Sequence, residues 1–205
     1  MARVHEIDRH LLDAVWSQHE AKEVTRKGLI WEARGQDSQS MPALRSLARQ
    51  GGFSIDFHVR FRELTPGQTL FDARAESGRG IALTVGERFN LQLTMNDGAR
   101  TFVWESDYGT HEGTLKVGRW QHVAVVVDGG ARIVSFVIDG QFNDGGATRQ
   151  FGWGRLPADL GDVNGSRTAL IAPKSFAEVG AIRFYNRYLL TSEAVGNWRA
   201  GNRRA

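Results

Sequence analysis

The chain has 205 residues, 41% of them apolar, with 24 glycines, four prolines and no cysteine. That apolar share supports a packed core and excludes a disordered chain, while the missing cysteines exclude disulfides, zinc–thiolate sites and cysteine nucleophiles. A net charge of +3 that is not gathered into one run gives no footprint for nucleic acid, and no window approaches the length of an apolar membrane span.

The N-terminal MARVHEIDRH lacks the apolar stretch of a secretion signal. Residues 1–27 read as an extension or an edge strand: Ile7, Leu11 and Val15 share a helical face, while residues 10–15 suit an edge strand equally. Only four of the 26 basic residues are lysine (Lys22, Lys27, Lys116, Lys174), and arginine's planar fork suits carboxylates, sulfates and vicinal hydroxyls. A GC-rich genome explains the same bias.

The clearest strand is FSIDFHVRF, where Phe53, Ile55, Phe57, Val59 and Phe61 alternate with Ser54, Asp56, His58 and Arg60. A turn at Thr65-Pro66-Gly67-Gln68 leads to a strand over residues 69–74, and ESGRG turns the chain into strands over 81–85 and 89–95. Asn96-Asp97-Gly98 marks a hairpin to residues 101–105. HVAVVV (122–127) and IVSFVI (133–138) flank Asp128-Gly129-Gly130, the second ending at Asp139-Gly140, and AIRFY (181–185) is a last strand. Thr191-Ser192-Glu193 opens a short closing helix with Thr191 or Ser192 as its cap. Eight short strands with turn signals between them predict an all-β fold of two antiparallel sheets packed face to face, and with no internal repeat one domain over 1–205 is the economical count.

Taken together, four segments resemble the laminin-G-like domains. GFSIDFHVRF is similar to the strand that opens their core, and LKVGRWQHVAVVVDGGARIVSFVIDGQ to their aromatic–X–histidine–valine strand, hairpin and aspartate–glycine turn. AIRFYNRYLLTSEAV is similar to their last strand and short helix, and GLIWEARGQDSQSMPAL to the strand and turn that precede the first segment. The resemblance covers residues 28–198 and implies the concanavalin A-like jelly roll, two curved antiparallel sheets with a concave and a convex face, plus a short C-terminal helix. It implies core or hydrogen-bonded packing for Trp120 and His122, and a tie to the neighbouring strand for Asn186 and Arg187. It also implies an extracytoplasmic setting, and a family of lectins, binding modules and some glycanases and lyases in which fold does not settle function.

Glycanases of this fold need paired carboxylates on one strand face, a pattern absent here. Glu105 and Asp107 would share a face only if their strand continued, and Tyr108-Gly109 argues that it ends. No nucleophile elbow or HExxH helix occurs. A polysaccharide lyase is the enzymatic alternative: His58 as a neutral base, Arg60 neutralising a uronate carboxylate, Asp56 beside them, with Arg62, Gln92 and Thr94 nearby. The same residues equally form the solvated side of an antiparallel sheet, with Asp56 and His58 as a surface pair. Many laminin-G-like domains hold Ca2+ at the sheet rim. No ligand motif carries over, and Asp13, Glu32, Asp37 and Asp162 are the candidate ligands.

Residues 141–166 form a connection far longer than usual, and such loops either bind or cover the sheet. Phe151 and Trp153 offer aromatic planes to a sugar ring, with Arg149, Arg155, Asp162 and Asn164 placed to read hydroxyls. Their other reading is a plug at one end of the sandwich, with Arg155 paired to Asp159 or Asp162. Tyr108 and His111 lie on a second loop that would share the site, whereas Trp198 is expected to pack. The leading expectation is a non-catalytic, lectin-like carbohydrate-binding module of a larger polysaccharide-acting protein, its partners a poly- or oligosaccharide and a neighbouring catalytic domain. A structural or protein-interaction domain is the third reading.

Overall fold

The alternation that singles out residues 53–61 organises one half of the molecule in the computed structural model, which describes residues 23–143 and 154–202. In chain order the first strands are β1 (Leu29–Ala33), β2 (Asp37–Ser40), β3 (Gly52–Phe61), β4 (Thr69–Asp72), β5 (Gly80–Val85), β6 (Leu91–Asn96) and β7 (Thr101–Glu105). Then come β8 (Trp120–Asp128), β9 (Ile133–Ile138), β10 (Gln141–Asn143), β11 (Gly154–Arg155), β12 (Thr168–Lys174), β13 (Ala177–Tyr185) and helix α1 (Thr191–Asn202). One antiparallel sheet runs β1-β13-β3-β8-β9, with β10 and β11 sharing the far edge of β9. The other runs β2-β12-β4-β5-β6-β7.

The two sheets bury their apolar faces against each other, as the all-β sandwich reading expects. From β3 the core takes Phe53, Ile55, Phe57, Val59 and Phe61; from β8, Val123, Val125 and Val127; from β6, Leu91, Leu93 and Met95. Phe184 stacks with Trp31, Phe53 and Phe71 at centroid distances of 5.7, 6.1 and 6.3 Å, and Phe71 belongs to the opposite sheet, so this group ties the two layers together.

The β12–β13 turn, the β5–β6 turn, the β3–β4 loop and the β7–β8 loop all lie at one end of the sandwich. The β4–β5, β6–β7 and β8–β9 turns lie at the other. At the first end Asp139 and Gly140 adopt φ of 49° and 76° in the β9–β10 turn, and a Cβ on Gly140 would strike the Trp198 indole. Trp198 therefore packs, as expected.

Helix α1 lies on the outer face of the first sheet, where Ala194 and Val195 pack against Ala124 and Val137. Thr191 and Ser192 already belong to the helix, and among the described residues neither caps it by side chain. Glu193 does this work: Oε2 accepts the Leu190 N–H (2.9 Å), and both carboxylate oxygens accept from Arg187 at 2.7 Å. The pairing also holds the Glu193 carboxyl below its ordinary range. Glu193→Ala is expected to cost about 1–2 kcal/mol, read as a lower urea midpoint at unchanged m-value.

Candidate functional site

Three places hold the candidate residues, and the fold keeps them apart. The first lies under α1. Asp56, on the outward parity of β3, is fully buried, not solvated. Its Oδ1 accepts from Arg183 Nη1 at 2.9 Å, and its Oδ2 from His122 Nε2 at 2.8 Å and Asn197 Nδ2 at 2.9 Å. Arg183 also donates to Glu32 (3.1 Å), and the Asn197 amide donates to the Tyr185 hydroxyl (3.3 Å), which donates to the Thr25 carbonyl (3.0 Å). Burial alone would raise the Asp56 carboxyl, but attraction and hydrogen bonding from His122, with Arg183 and Asn197, bring it down to about 2. Burial first, then the neighbouring Asp56 charge, pushes the Tyr185 hydroxyl up to about 12.

His58 stands beside this cluster, its ring 5.0 Å from that of His122 and against Gly201 of α1. Its Nε2 is buried without a hydrogen-bond partner among the described residues, as is His122 Nδ1. Burial, then repulsion from His122, lowers the imidazole to about 4. A neutral imidazole suits a general base, but proton abstraction requires Nε2 within about 3 Å of substrate, and Gly201 occupies that approach. Arg60 is engaged with Glu178 (2.6 Å). Gln92 and Thr94 face away on β6 of the other sheet, separated from His58 by the core.

The second place is the end bearing the β6–β7 turn. Asn164 fastens the segment before β12 to residue 44: its Oδ1 accepts the Leu44 N–H (2.7 Å), and its Nδ2 donates to the Leu44 carbonyl and to Asp162 Oδ1. Asp162 lies 4.0 Å from Arg79, and Asp159 pairs with Arg100 at 2.7 Å. Arg155 sits on β11, and its carbonyl accepts from the Trp104 indole (3.1 Å).

The third place, at the opposite end, holds Tyr108. β7 ends at Glu105, so Asp107 lies beyond the strand. Tyr108 is 40% exposed, with the Arg88 guanidinium 4.9 Å from its ring centroid. His111 Nε2 lies 3.8 Å from Asp107. Buried Asn143, the last residue of β10, braces this loop by accepting the Asp107 N–H and donating to the Gly113 carbonyl. Tyr108 thus stands at the far end of the sandwich from Asp162 and Asn164. Arg149, Phe151 and Trp153 lie outside the described residues. The chain between them leaves β10 at Asn143, beside the Tyr108 loop, and rejoins the sheet at Gly154.

No group of three acidic or histidine side chains among the described residues is placed to hold a metal ion. Glu32 is engaged by Arg183 and Arg26, Asp37 by Ser38 and Gln39, and Asp162 by Asn164, on β1, β2 and the segment before β12; together they do not fit one Ca2+. Asp13 lies outside the described residues. No helix among them is long and apolar enough to cross a membrane.

A family model, Laminin_G_3, of the concanavalin A-like lectin/glucanases superfamily, matches residues 33–193. The chain belongs to this family. Among solved structures, this laminin-G-like domain is similar to the binding domain of botulinum neurotoxin DC in complex with rat synaptotagmin II: TM-score 0.55, 12% identity, covering 83% of this chain and 46% of that one. The same binding domain in complex with SialylT gives 0.56 at 12% identity, again covering 83% and 46%. The botulinum neurotoxin type G receptor binding domain gives 0.53 at 15%, with 83% and 46% covered. The laminin-G-like domain spans under half the length of these structures, and at such identities the likeness shows the fold alone. No curated protein matches the sequence.

Two residues that sequence reasoning passed over, Arg88 and Asn143, belong with the Tyr108 loop. Arg88 and Asn143 had no signal of their own. Trp120, expected to pack, is 43% exposed, and its parity on β8, shared with His122 and opposite to Val123, could have shown it.

Proposed function

We propose that this laminin-G-like domain is a non-catalytic carbohydrate-binding module of a larger, extracytoplasmic polysaccharide-acting protein, binding its oligosaccharide at the end of the sandwich that bears Tyr108. The observation that carries this reading is the exposed Tyr108 ring with Arg88 stacked on it, on a loop braced by Asn143. An aromatic plane takes the apolar face of a pyranose, and the adjacent guanidinium reads its hydroxyls. The segment carrying Trp153, Phe151 and Arg149 begins beside that loop, with Arg155 at its return. Botulinum neurotoxin type C, a solved structure of the same fold, depends for cell entry upon interaction with two ganglioside molecules, which supports the ligand class by analogy.

Burying ~100 Å² of apolar ring at about 25 cal/mol/Å² contributes roughly 2–3 kcal/mol. A few hydrogen bonds of about 1 kcal/mol each, less the cost of association, give a dissociation constant on the order of 0.1–1 mM. Such weak single-site binding suits a module that works by avidity beside a catalytic domain. Titrating Tyr108→Ala and Trp153→Ala against a glycan panel is expected to weaken binding about tenfold each. Unchanged affinity in both, with the fold intact, removes this end of the molecule from the site.

A further inference from the structure

We infer that a second saccharide site lies on the outer face of the first sheet, with Trp120 as its platform and a pyranose bearing a carboxylate as its ligand; this rests on the carbohydrate reading above. On that face Ala124, Val126 and Val137 are buried, yet Trp120 stays 43% exposed. The ring is held in place. A Cβ on Gly180 of β13 would stand only 3.2 Å from the indole Cζ3 and 3.5 Å from Cη2, and Arg60 Cζ lies 5.3 Å from the ring centroid. A side chain at 180 would make the indole give way by a few tenths of an ångström.

Trp120, Arg60 and Glu178 are direct cross-strand neighbours on β8, β3 and β13. At a strand spacing of ~4.8 Å they form a row about 10 Å long, enough for two sugar rings. Glu178 is clamped by two arginines: Arg60 Nη2 donates to one oxygen (2.6 Å) and Arg62 Nε to the other (3.0 Å). The two guanidinium side chains remain 39% and 73% exposed, with N–H groups beyond those given to Glu178. Two cations against one anion leave an excess of positive charge beside the aromatic plane. A planar fork in that position matches a carboxylate on a sugar stacked on Trp120. Past Glu178 the row opens into a cavity of about 450 Å³ bordered by Arg62 and by Phe176, which is 61% exposed, and this gives the next sugar a second apolar contact.

The test is calorimetric titration of the full chain with oligomers of galacturonate, glucuronate and mannuronate, and with neutral cellotetraose. A uronate oligomer is expected to bind more tightly than cellotetraose, with the preference fading at high salt. Trp120→Ala is expected to weaken the uronate about tenfold. Arg62→Gln, a change at an exposed position, is expected to erase the preference for uronate over cellotetraose, and it carries the test should Trp120→Ala fail to fold. Equal uronate affinity in wild type and Trp120→Ala, or no preference for uronate over cellotetraose, overturns the inference. If Tyr108→Ala alone abolishes all binding and Trp120→Ala changes nothing, this site falls and the proposed function stands. If no saccharide binds the wild type, both fall.

Discussion

Replacing Asp56 with alanine is expected to destabilise the domain by about 3–5 kcal/mol, the cost of leaving a buried charge without its partner. The substitution takes one shared acceptor from three donors at once, Arg183, His122 and Asn197, which come from β13, β8 and α1. Arg183 keeps Glu32, but that acid lies nearer the surface and cannot replace both contacts. Asn197 keeps the Tyr185 hydroxyl at 3.3 Å. The loss therefore falls on the seam between α1 and the sheet. Urea unfolding followed by far-UV circular dichroism measures it. For comparison, Glu178→Ala breaks only solvent-accessible pairs and should cost much less. A loss for Asp56→Ala no larger than that of Glu178→Ala would show that the buried cluster is energetically idle.

Acid is expected to weaken the fold in two stages. His58 titrates near 6.5 in the unfolded chain but at about 4 in the folded one, so between those values only the unfolded chain takes up the proton. Stability then falls as pH is lowered from 6.5 towards 4. Asp56 stays ionised in the folded chain down to about 2, while the unfolded carboxyl protonates near 3.8. Stability falls again across that lower range. At about 1.4 kcal/mol for each tenfold difference in proton affinity between the folded and unfolded chain, the two stages together amount to several kcal/mol. Urea midpoints measured from pH 7 to pH 2 should descend through both windows. His58→Gln should flatten the upper one and leave the lower one in place. A flat profile from pH 7 to pH 4 in the wild type would show that His58 protonates as easily folded as unfolded.

Both results depend on a feature that the local sequence could not show. The parity of β3 correctly put Asp56, His58 and Arg60 on one face. That face reads as solvated because its cover comes from residues 191–202, more than a hundred positions away. Strands such as β3 and β6 were legible because an alternation of apolar and polar residues is written in consecutive positions. β2 is wholly polar (DSQS), and β12 contains a proline and an alanine at φ 49°, so neither carries the alternating signal. β10 and β11 span three and two residues, too few to show any period. The binding candidates were grouped by nearness along the chain. Asp162 and Asn164 instead hold one end of the sandwich together while Tyr108 stands at the other, a separation set by strand direction.

Asn143 and Gly154 pair with Phe136 and Val134, two positions apart on β9. The connection between them is thus anchored on β9 at both ends by ladder pairing. Lengthening or rewriting that stretch leaves the ladder intact, and each doubling of its length costs only about 0.6 kcal/mol in closure entropy. The anchoring of this connection is therefore separable from its content, with Asn143, which also ties down the loop from Asp107 to Gly113, as its hinge pin.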